Sequence, residues 1–299
     1  MEIADGIHLI KNPHNTYFVS SVLIMGESLT LVDAGRVESP KTSIYPAIRA
    51  LGRDPREISL LVLTHAHWDH CAGAAQIKRE TGCNVAVHSN GKAYLADPET
   101  VARELTSRFP GVPAGNMAAF DAVDPEIVFS EGSTIALDGR DLKVVHTPGH
   151  SAGSCCIVEP DLGLYIAGDS IQGRGERRPL IFHDANAYLS SMKRLLGEPI
   201  EILVNGHPFP PSGEGALRGE ATKRHVEASL KAVEELRDTV LEALDGSAGP
   251  VSVTEVHEAT GVSQPFTIGC ILEALAAEGK ATRETIGGRV QWQALNGPS

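Results

Sequence analysis

Residues 63–70 read LTHAHWDH and place three histidines and one aspartate within six positions, directly after an apolar run. A neutral imidazole offers a nitrogen lone pair and an aspartate offers a hard oxygen, which are the ligand types of catalytic metal sites. A solvated loop does not need so many of them. The segment therefore predicts a metal-binding loop between a strand and a helix.

Three further blocks with ligand side chains follow apolar runs, namely TPGHS at 147–151, AGDS at 167–170 and NGH at 205–207. Loops at one edge of a layered α/β fold converge, so ligands far apart in the sequence can meet there. The resulting candidates are His65, His67, Asp69, His70, His150, Asp169 and His207. One catalytic zinc takes about three protein ligands, so seven side chains, one of them bridging, suit two metals better than one.

The elements that must position these residues fall into two similar β-rich halves. Strands are predicted at 6–11, 16–25, 29–35, 58–65 and 83–89, and again at 127–137, 141–151, 153–160, 163–170 and 200–207. Helices are predicted at 39–52, 73–81, 185–197 and 216–244, and residues 97–125 are expected to be irregular. The fold class is α/β, with two sheets face to face and helices outside them.

The pattern changes after residue 245, and we place a domain boundary between 1–245 and 246–299. Residues 253–261 and 265–279 predict two helices, and 281–286 and 289–295 predict two short strands around Gly287-Gly288. This order is typical of a winged-helix module. The tail has three Lys or Arg against five Glu, so we interpret it as a packing or dimerisation element beside the pocket rather than a nucleic-acid reader. A homodimer is compatible with this interpretation.

Composition and charge exclude several classes of partner. The formal net charge of −12 opposes binding to nucleic acid or to an anionic membrane. No secretory leader and no apolar stretch of membrane-spanning length is recognisable, and we expect a cytoplasmic protein. The five cysteines lack framework spacing and predict reduced thiols.

The segment HAHWDH matches the motif H-x-H-x-D-H, and His150, Asp169 and His207 follow it. In these residues the sequence resembles the metallo-β-lactamase fold superfamily, over roughly residues 1–240. The resemblance implies a four-layer αββα sandwich and a dinuclear centre. His65, His67 and His150 would hold the first metal, Asp69, His70 and His207 the second, and Asp169 would bridge both. Zinc is the default, and iron or manganese also accept these ligands.

A dinuclear centre predicts hydrolysis by a hydroxide shared between the metals, because two cations lower the pKa of water from about 15.7 to near 7. Asp69 would orient that nucleophile and is the catalytic candidate. The stretch GDSIQG…ANAYLSSMKRLL…GH resembles the glyoxalase II-like branch, whose relatives include thioesterases and an endoribonuclease. We expect a thioester or lactone substrate. The alternatives are a metal-dependent endoribonuclease or phosphodiesterase, and a non-hydrolytic metal redox protein of the same fold.

Five residues are candidates for substrate contact. Arg174, Arg177 and Arg178 follow the bridging Asp169 and would hold phosphates of a carrier such as coenzyme A. His183 lies in a loop that could reach the cleft, and Tyr188 lies in the next predicted helix. A solvated loop is the ordinary interpretation of the three arginines, and helix packing is the ordinary interpretation of Tyr188. Both interpretations stay open at this point. The substrate is thus a small or carrier-linked ester.

Overall fold

Two mixed β-sheets lie face to face between two layers of helices in this computed structural model, which describes residues 1–113, 120–175 and 177–295. The predicted αββα sandwich is confirmed. Helices cover the outer face of each sheet because strands that are buried on both faces need a second apolar partner there.

The first sheet contains seven strands arranged in chain order. They are β1 (Glu2–Ala4), β2 (Ile7–His14), β3 (Tyr17–Met25), β4 (Leu29–Val32), β5 (Ile58–Val62), β6 (Asn84–His88) and β7 (Ile127–Phe129). Strands β1 to β4 form an antiparallel meander, and β4 to β7 pair in parallel. The carboxyl ends of β4 and β5 therefore lie side by side at one edge.

The second sheet has six strands in the order β13-β12-β11-β10-β9-β8. They are β8 (Thr134–Leu137), β9 (Arg140–His146), β10 (Cys155–Glu159), β11 (Leu164–Gly168), β12 (Ile202–Asn205) and β13 (Ala216–Arg218). Strand β13 corrects the prediction that a helix begins at residue 216. Its three residues pair with β12, and Gly219 with a φ of 52° precedes the helix.

Nine α-helices are present in the described part of the chain. They are α1 (Tyr45–Ala50), α2 (Trp68–Cys71), α3 (Ala74–Thr81), α4 (Lys92–Ala96), α5 (Thr100–Arg108), α6 (Ala185–Leu195), α7 (Glu220–Asp245), α8 (Val253–Thr260) and α9 (Pro265–Ala277). A π-helical turn at Pro40–Ile44 leads into α1. Helix α5 corrects the first part of the irregular segment expected at 97–125, because Val101 and Leu105 are spaced by one helical turn and Leu105 is buried. Residues 114–119 of that segment lie outside the described residues.

Three clusters of buried apolar side chains correspond to the three interfaces of the sandwich. One lies between the sheets and includes Leu9, Val62 and Ile166. A second covers the outer face of the first sheet. The third joins the second sheet to α6 and α7 and continues without a break into the tail, where Ile268 and Trp292 belong to it.

The tail consists of α8, α9 and a hairpin of β14 (Ala281–Ile286) and β15 (Arg289–Ala294). The predicted order of two helices and two strands is thus present, while the winged-helix assignment and the boundary at residue 245 stay predictions. Val251 and Trp292 exchange backbone hydrogen bonds of 2.8 and 2.7 Å, which fix the hairpin to the segment before α8. No described helix is long and apolar enough to cross a membrane.

The tail interface gives a stability prediction. Ile268 is fully buried in the shared cluster, so Ile268→Ala leaves a cavity and we expect it to lower the free energy of unfolding by about 2–5 kcal/mol. Ile286 is 44% exposed on the hairpin, and Ile286→Ala should cost less than about 1 kcal/mol. Urea unfolding of both variants measures the change in the free energy of unfolding. Equal changes in the two variants would mean that the tail does not share the core of the second sheet.

Candidate metal centre

All seven predicted donors lie at the carboxyl ends of strands. His65 and His67 follow β5, and the short helix α2 carries Asp69 and His70. The remaining three come from the second sheet, where His150 follows β9, Asp169 follows β11 and His207 follows β12. Strands β11 and β12 pair in parallel, so their ends reach the same edge. The convergence expected from the sequence is therefore present.

The donors form three overlapping groups in which one ligand atom of each residue lies within 4.8 Å of the others. The groups are His65, His67 and His150; His65, His70 and Asp169; and Asp69, His70 and His207. The first and third groups share no residue, and the middle group contains Asp169. This arrangement matches the division into two ligand sets that the resemblance implied.

Ring nitrogens face one another inside the cluster. His67 Nδ1 lies 2.8 Å from His150 Nε2, and His70 Nε2 lies 3.3 Å from His207 Nε2. Two nitrogen lone pairs cannot face each other at this distance unless a proton or a cation lies between them or beside them. The donor set is thus one that a divalent cation satisfies.

Asp169 lies between the two sides of the cluster. Its Oδ2 is 3.6 Å from His150 Nε2, and its Oδ1 is 3.3 Å from His70 Nε2. Asp169 Oδ1 and His65 Nε2 are both buried, and neither has a hydrogen-bond partner among the described residues. Buried polar atoms without a partner are unfavourable, and a metal ion is one of the recognised explanations. The residues present therefore fit divalent cations.

The electrostatics of the two sides differ. Burial, together with the neighbouring His150, lowers the pKa of His67 to about 3. Burial also acts to lower the pKa of His207, but Asp169 and Asp69 outweigh it and raise this pKa to about 9. The imidazole of His67 is accordingly neutral at pH 7, as metal ligation requires. The two carboxylates concentrate negative charge on the side of His207.

The nitrogens that point away from the cluster have their own hydrogen-bond partners. His150 Nδ1 donates to the carbonyl of Leu180 at 2.8 Å, and His207 Nδ1 donates to the carbonyl of Phe18 at 3.2 Å. Partners of this kind fix which nitrogen carries the proton and hold the ring in place. The opposite nitrogen, Nε2 in both residues, then faces the cluster, where it can bind a cation when the ring is neutral.

Asp33 supports the donor cluster through hydrogen bonds, although the sequence did not single it out. It follows β4 in the segment LVDAG, adopts a φ of 60°, and is buried. Its Oδ2 accepts hydrogen bonds from His70 Nδ1 at 2.9 Å and from Thr64 Oγ1 at 2.8 Å, while Oδ1 accepts from Thr64 N at 2.8 Å. An acidic residue directly after an apolar strand is the signal that also marked Asp169, and it could have identified Asp33.

Two glycines allow the donor segments to approach closely. A Cβ on Gly206 would lie 2.3 Å from Asp169 Oδ1 and 2.7 Å from His70 Cε1. A Cβ on Gly168 would lie 2.3 Å from Thr64 Oγ1, and this residue has a φ of 49°. Side chains at these positions would displace ligands or their supports, which explains the glycines in AGD and NGH.

A cavity of ≈ 400 Å³ opens beside the donors. Asp69, His67, His150, Asp169 and His207 form part of its wall. The remaining described lining residues are mostly apolar and come from several segments, namely Tyr17, Ala66, Trp68, Pro98, Val101, Val112, Pro113, Phe120, Arg178, Leu180, Phe182, Gln264, Pro265 and Phe266. The last three belong to the tail, so the tail forms one side of the pocket.

The three candidate arginines have different surroundings. Arg178 lines the cavity, lies 4.7 Å from the centre of the Phe209 ring and donates to Gln172 Oε1 at 3.3 Å. Arg174 is half exposed and forms an ion pair of 2.7 Å with Glu235 on α7. Arg177 is exposed, and neither it nor Arg174 belongs to the described lining of the cavity. The structure therefore brings only Arg178 to the donors.

His183 and Tyr188 also lie apart from the main cavity. His183 lines a small adjacent pocket together with His67 and Phe182. Tyr188 is 1% exposed on α6, and a Cβ on Gly149 would lie 2.4 Å from its Cα. The helix thus packs directly against the turn that carries His150. Substrate contact by either residue stays a prediction.

Comparison with known proteins gives the family. The family model described as the metallo-beta-lactamase superfamily matches residues 13–207, which is more than half of the chain and includes every donor. The chain belongs to the metallo-β-lactamase superfamily. The resemblance noted in the sequence is thereby confirmed.

Named members of the superfamily are similar to parts of the chain. An acyl-coenzyme A thioesterase of Bos taurus is 33% identical over 144 residues, which is 46% of this chain and 50% of the relative. A hydroxyacylglutathione hydrolase of Cereibacter sphaeroides is 28% identical over 184 residues, covering 60% of this chain and 61% of the relative. The chain thus spans about half to three fifths of the length of these relatives.

A solved structure extends the likeness beyond the residues that the family model matches. A metallo-beta-lactamase family protein of Thermus thermophilus superimposes with a TM-score of 0.76 at 19% identity, covering 98% of this chain and all of that one. At this identity the likeness concerns the fold alone. It nevertheless includes the tail, so this arrangement of the tail on a metallo-β-lactamase sandwich is not peculiar to this chain.

Asp33 gives the test of this centre. In Asp33→Asn the carboxylate that accepts from His70 and Thr64 is lost, and we expect cation affinity to fall about 10–100-fold, as for other residues that orient metal ligands. Competition with a chromogenic zinc chelator measures the affinity. Asp138→Asn, at an exposed position, is the matched control. Unchanged affinity in Asp33→Asn would contradict the positioning role of Asp33.

Proposed function

We propose that the protein is a dinuclear metal-dependent hydrolase that acts on thioesters. The observation that carries the proposal is the cluster of seven donors, five of which line a cavity whose other lining residues are mainly apolar. His65, His67 and His150 would hold one cation, Asp69, His70 and His207 the other, and Asp169 would bridge them. Zinc is the proposed metal, since imidazole and carboxylate are its common ligands.

Two cations in this centre would supply Lewis acidity, which lowers the pKa of a shared water towards about 7 and polarises a carbonyl group. The chain contributes the remaining functions. Asp69 lines the cavity, its side chain is 17% exposed, and its Oδ2 is 3.2 Å from His207 Nε2. In this proposal its carboxylate would accept a hydrogen bond from the attacking water and orient that water towards the substrate.

Charge and shape of the cavity favour a carbonyl ester over a phosphodiester. Arg178 is the one Lys or Arg among the described lining residues, whereas a polyanion needs several cations along its path. The net charge of −12 opposes such a ligand as well. Similarity to an acyl-coenzyme A thioesterase supports a thioester in particular. Lactones rank second, and cleavage of RNA or another phosphodiester ranks third.

Arg178 would contact the carrier part of the thioester. It is half-buried at the cavity wall, and contact with the Phe209 ring holds its guanidinium in place. A guanidinium held in this way binds a phosphate or carboxylate at little cost in side-chain entropy. The proposal thus narrows the three predicted arginines to one.

The first prediction concerns the class of substrate. The zinc-loaded protein should hydrolyse acyl-coenzyme A or glutathione thioesters with a kcat/KM at least ten times that for a lactone, a cephalosporin, bis-p-nitrophenyl phosphate or a short RNA. A factor of ten corresponds to about 1.4 kcal/mol of transition-state stabilisation. Asp69→Asn should lower kcat on thioesters about 100-fold or more while the protein stays folded. Preference for the phosphodiester or RNA would overturn the proposal.

The second prediction concerns the carrier. Arg178→Ala should raise KM for coenzyme A thioesters about tenfold and leave small thioesters without a phosphate nearly unchanged, because one charge-assisted contact contributes about 1.5–3 kcal/mol. Arg177→Ala, at an exposed position outside the described lining, is the control. Equal losses on both substrate classes would show that Arg178 supports the loop and not the carrier.

A further inference from the structure

The described lining of the cavity contains a polar set and an apolar set of residues. The donors and Arg178 provide all of its described ionisable groups other than Tyr17, and Tyr17 lies beside them, with its ring centre 5.5 Å from that of His207. The apolar set includes Val101, Val112, Phe120 and Phe266. A substrate whose reacting group is at the donors must therefore extend one of its parts into an apolar space.

We propose that these apolar residues form a subsite for the acyl chain of the substrate, and that this chain is of medium length. We name it the acyl subsite and define it by Val101, Val112, Phe120, Phe182 and Phe266. The inference rests on the proposed thioesterase function and names its substrate class. It assigns the carrier to the rim at Arg178 and the acyl chain to the interior.

Phe182 connects the acyl subsite to the donors. Its ring centre lies 5.5 Å from those of both His67 and His150, with the edge of one ring towards the face of the other. A carbonyl carbon beside these histidines would thus have its α-methylene against Phe182. The following methylenes would then lie between α5 and the start of α9.

Arg108 holds the walls of the subsite together. Its guanidinium donates to the carbonyls of Phe182 at 3.1 Å and His183 at 2.7 Å, and to Glu273 Oε2 on α9 at 2.5 Å. Three separate segments are therefore fixed by one side chain. Arg108 is a positioning residue in this proposal, since it contacts the walls and not the substrate.

Helix α9 lies unusually close to α5. A Cβ on Gly269 would lie 2.6 Å from the ring of Phe109, and that ring lies 6.3 Å from the ring of Phe266. Phe266 is 5% exposed and cannot swing out without breaking this packing. The subsite is thus formed in advance, which lowers the entropic cost of binding a flexible chain.

The volume of the cavity limits the length of the acyl chain. The whole cavity has a volume of ≈ 400 Å³, and the reacting group occupies part of it. Ligand pockets range from about 300 to 1,000 Å³, so this cavity is at the small end. A medium-length acyl chain fills the remaining space, whereas a long one would reach the rim. The absence of Lys and Arg from the described apolar walls excludes an anionic group there.

The test is a homologous series of acyl-coenzyme A substrates from acetyl to dodecanoyl. We expect kcat/KM to rise about threefold to fourfold per methylene until the subsite is full, and then to level off or fall. In Val101→Phe the added ring fills the subsite, so kcat/KM for octanoyl-coenzyme A should fall tenfold or more while that for acetyl-coenzyme A changes less than twofold. In Phe266→Ala the optimum should move to longer chains.

Val128→Phe is the matched control, because Val128 is 45% exposed on β7 and lies outside the described lining. It should leave the whole series unchanged. Thermal unfolding of each variant verifies that it is folded. If thioesters are hydrolysed but kcat/KM does not depend on chain length, or if Val101→Phe affects acetyl and octanoyl substrates equally, the acyl subsite is wrong while the thioesterase function stands.

A binding measurement separates the subsite from catalysis. Octyl and methyl thioethers of coenzyme A cannot be hydrolysed, and their calorimetric titration reports binding alone. We expect the octyl compound to bind at least 30-fold more tightly, with a more negative heat-capacity change from burial of apolar surface, and Val101→Phe to abolish the difference. If no thioester is hydrolysed yet this pattern appears, the proposed function fails and the subsite stands. Equal affinities would overturn the subsite.

Discussion

Crowding of buried imidazole nitrogens and carboxylates is the constraint on which the rest of this structure depends. The facing nitrogens of His67 and His150, and of His70 and His207, are 2.8 and 3.3 Å apart in a region closed to solvent on most sides. Such a cluster costs folding free energy unless a cation or proton satisfies it. The fold opposes this cost with two sheets whose backbones are joined at the same edge. Cys155 N donates to Thr64 O at 3.0 Å, and Ser20 N donates to Gly206 O at 2.7 Å.

The remainder of the molecule determines what can approach that centre. Helix α5, the loop through Phe182 and the start of α9 enclose an apolar space, and Arg108 binds all three together. The tail thus shares the hydrophobic core of the second sheet and also forms a wall of the cavity. The tail therefore helps to shape the pocket. Its excess of Glu over Lys and Arg agrees with a packing role rather than with binding of nucleic acid.

The seven donor candidates could be selected from the sequence because each lies in a polar block that follows an apolar strand, a local pattern that needs no knowledge of tertiary contacts. The sequence-based prediction failed where tertiary contacts determine the local structure. Strand β13 is too short to show a period and forms because β12 offers an edge. Helix α5 was obscured by the prolines on both sides of it. Arg174 and Arg178 are four residues apart, yet an ion pair with α7 holds one away from the cavity and the Phe209 ring holds the other in it.

The central claim is that one cluster of donors holds two divalent cations. Anomalous diffraction at the zinc absorption edge, from crystals of the zinc-loaded protein, tests it most directly. The account predicts two peaks, one among His65, His67 and His150 and one among Asp69, His70 and His207, with Asp169 between them. A single peak, or peaks away from these side chains, would contradict it.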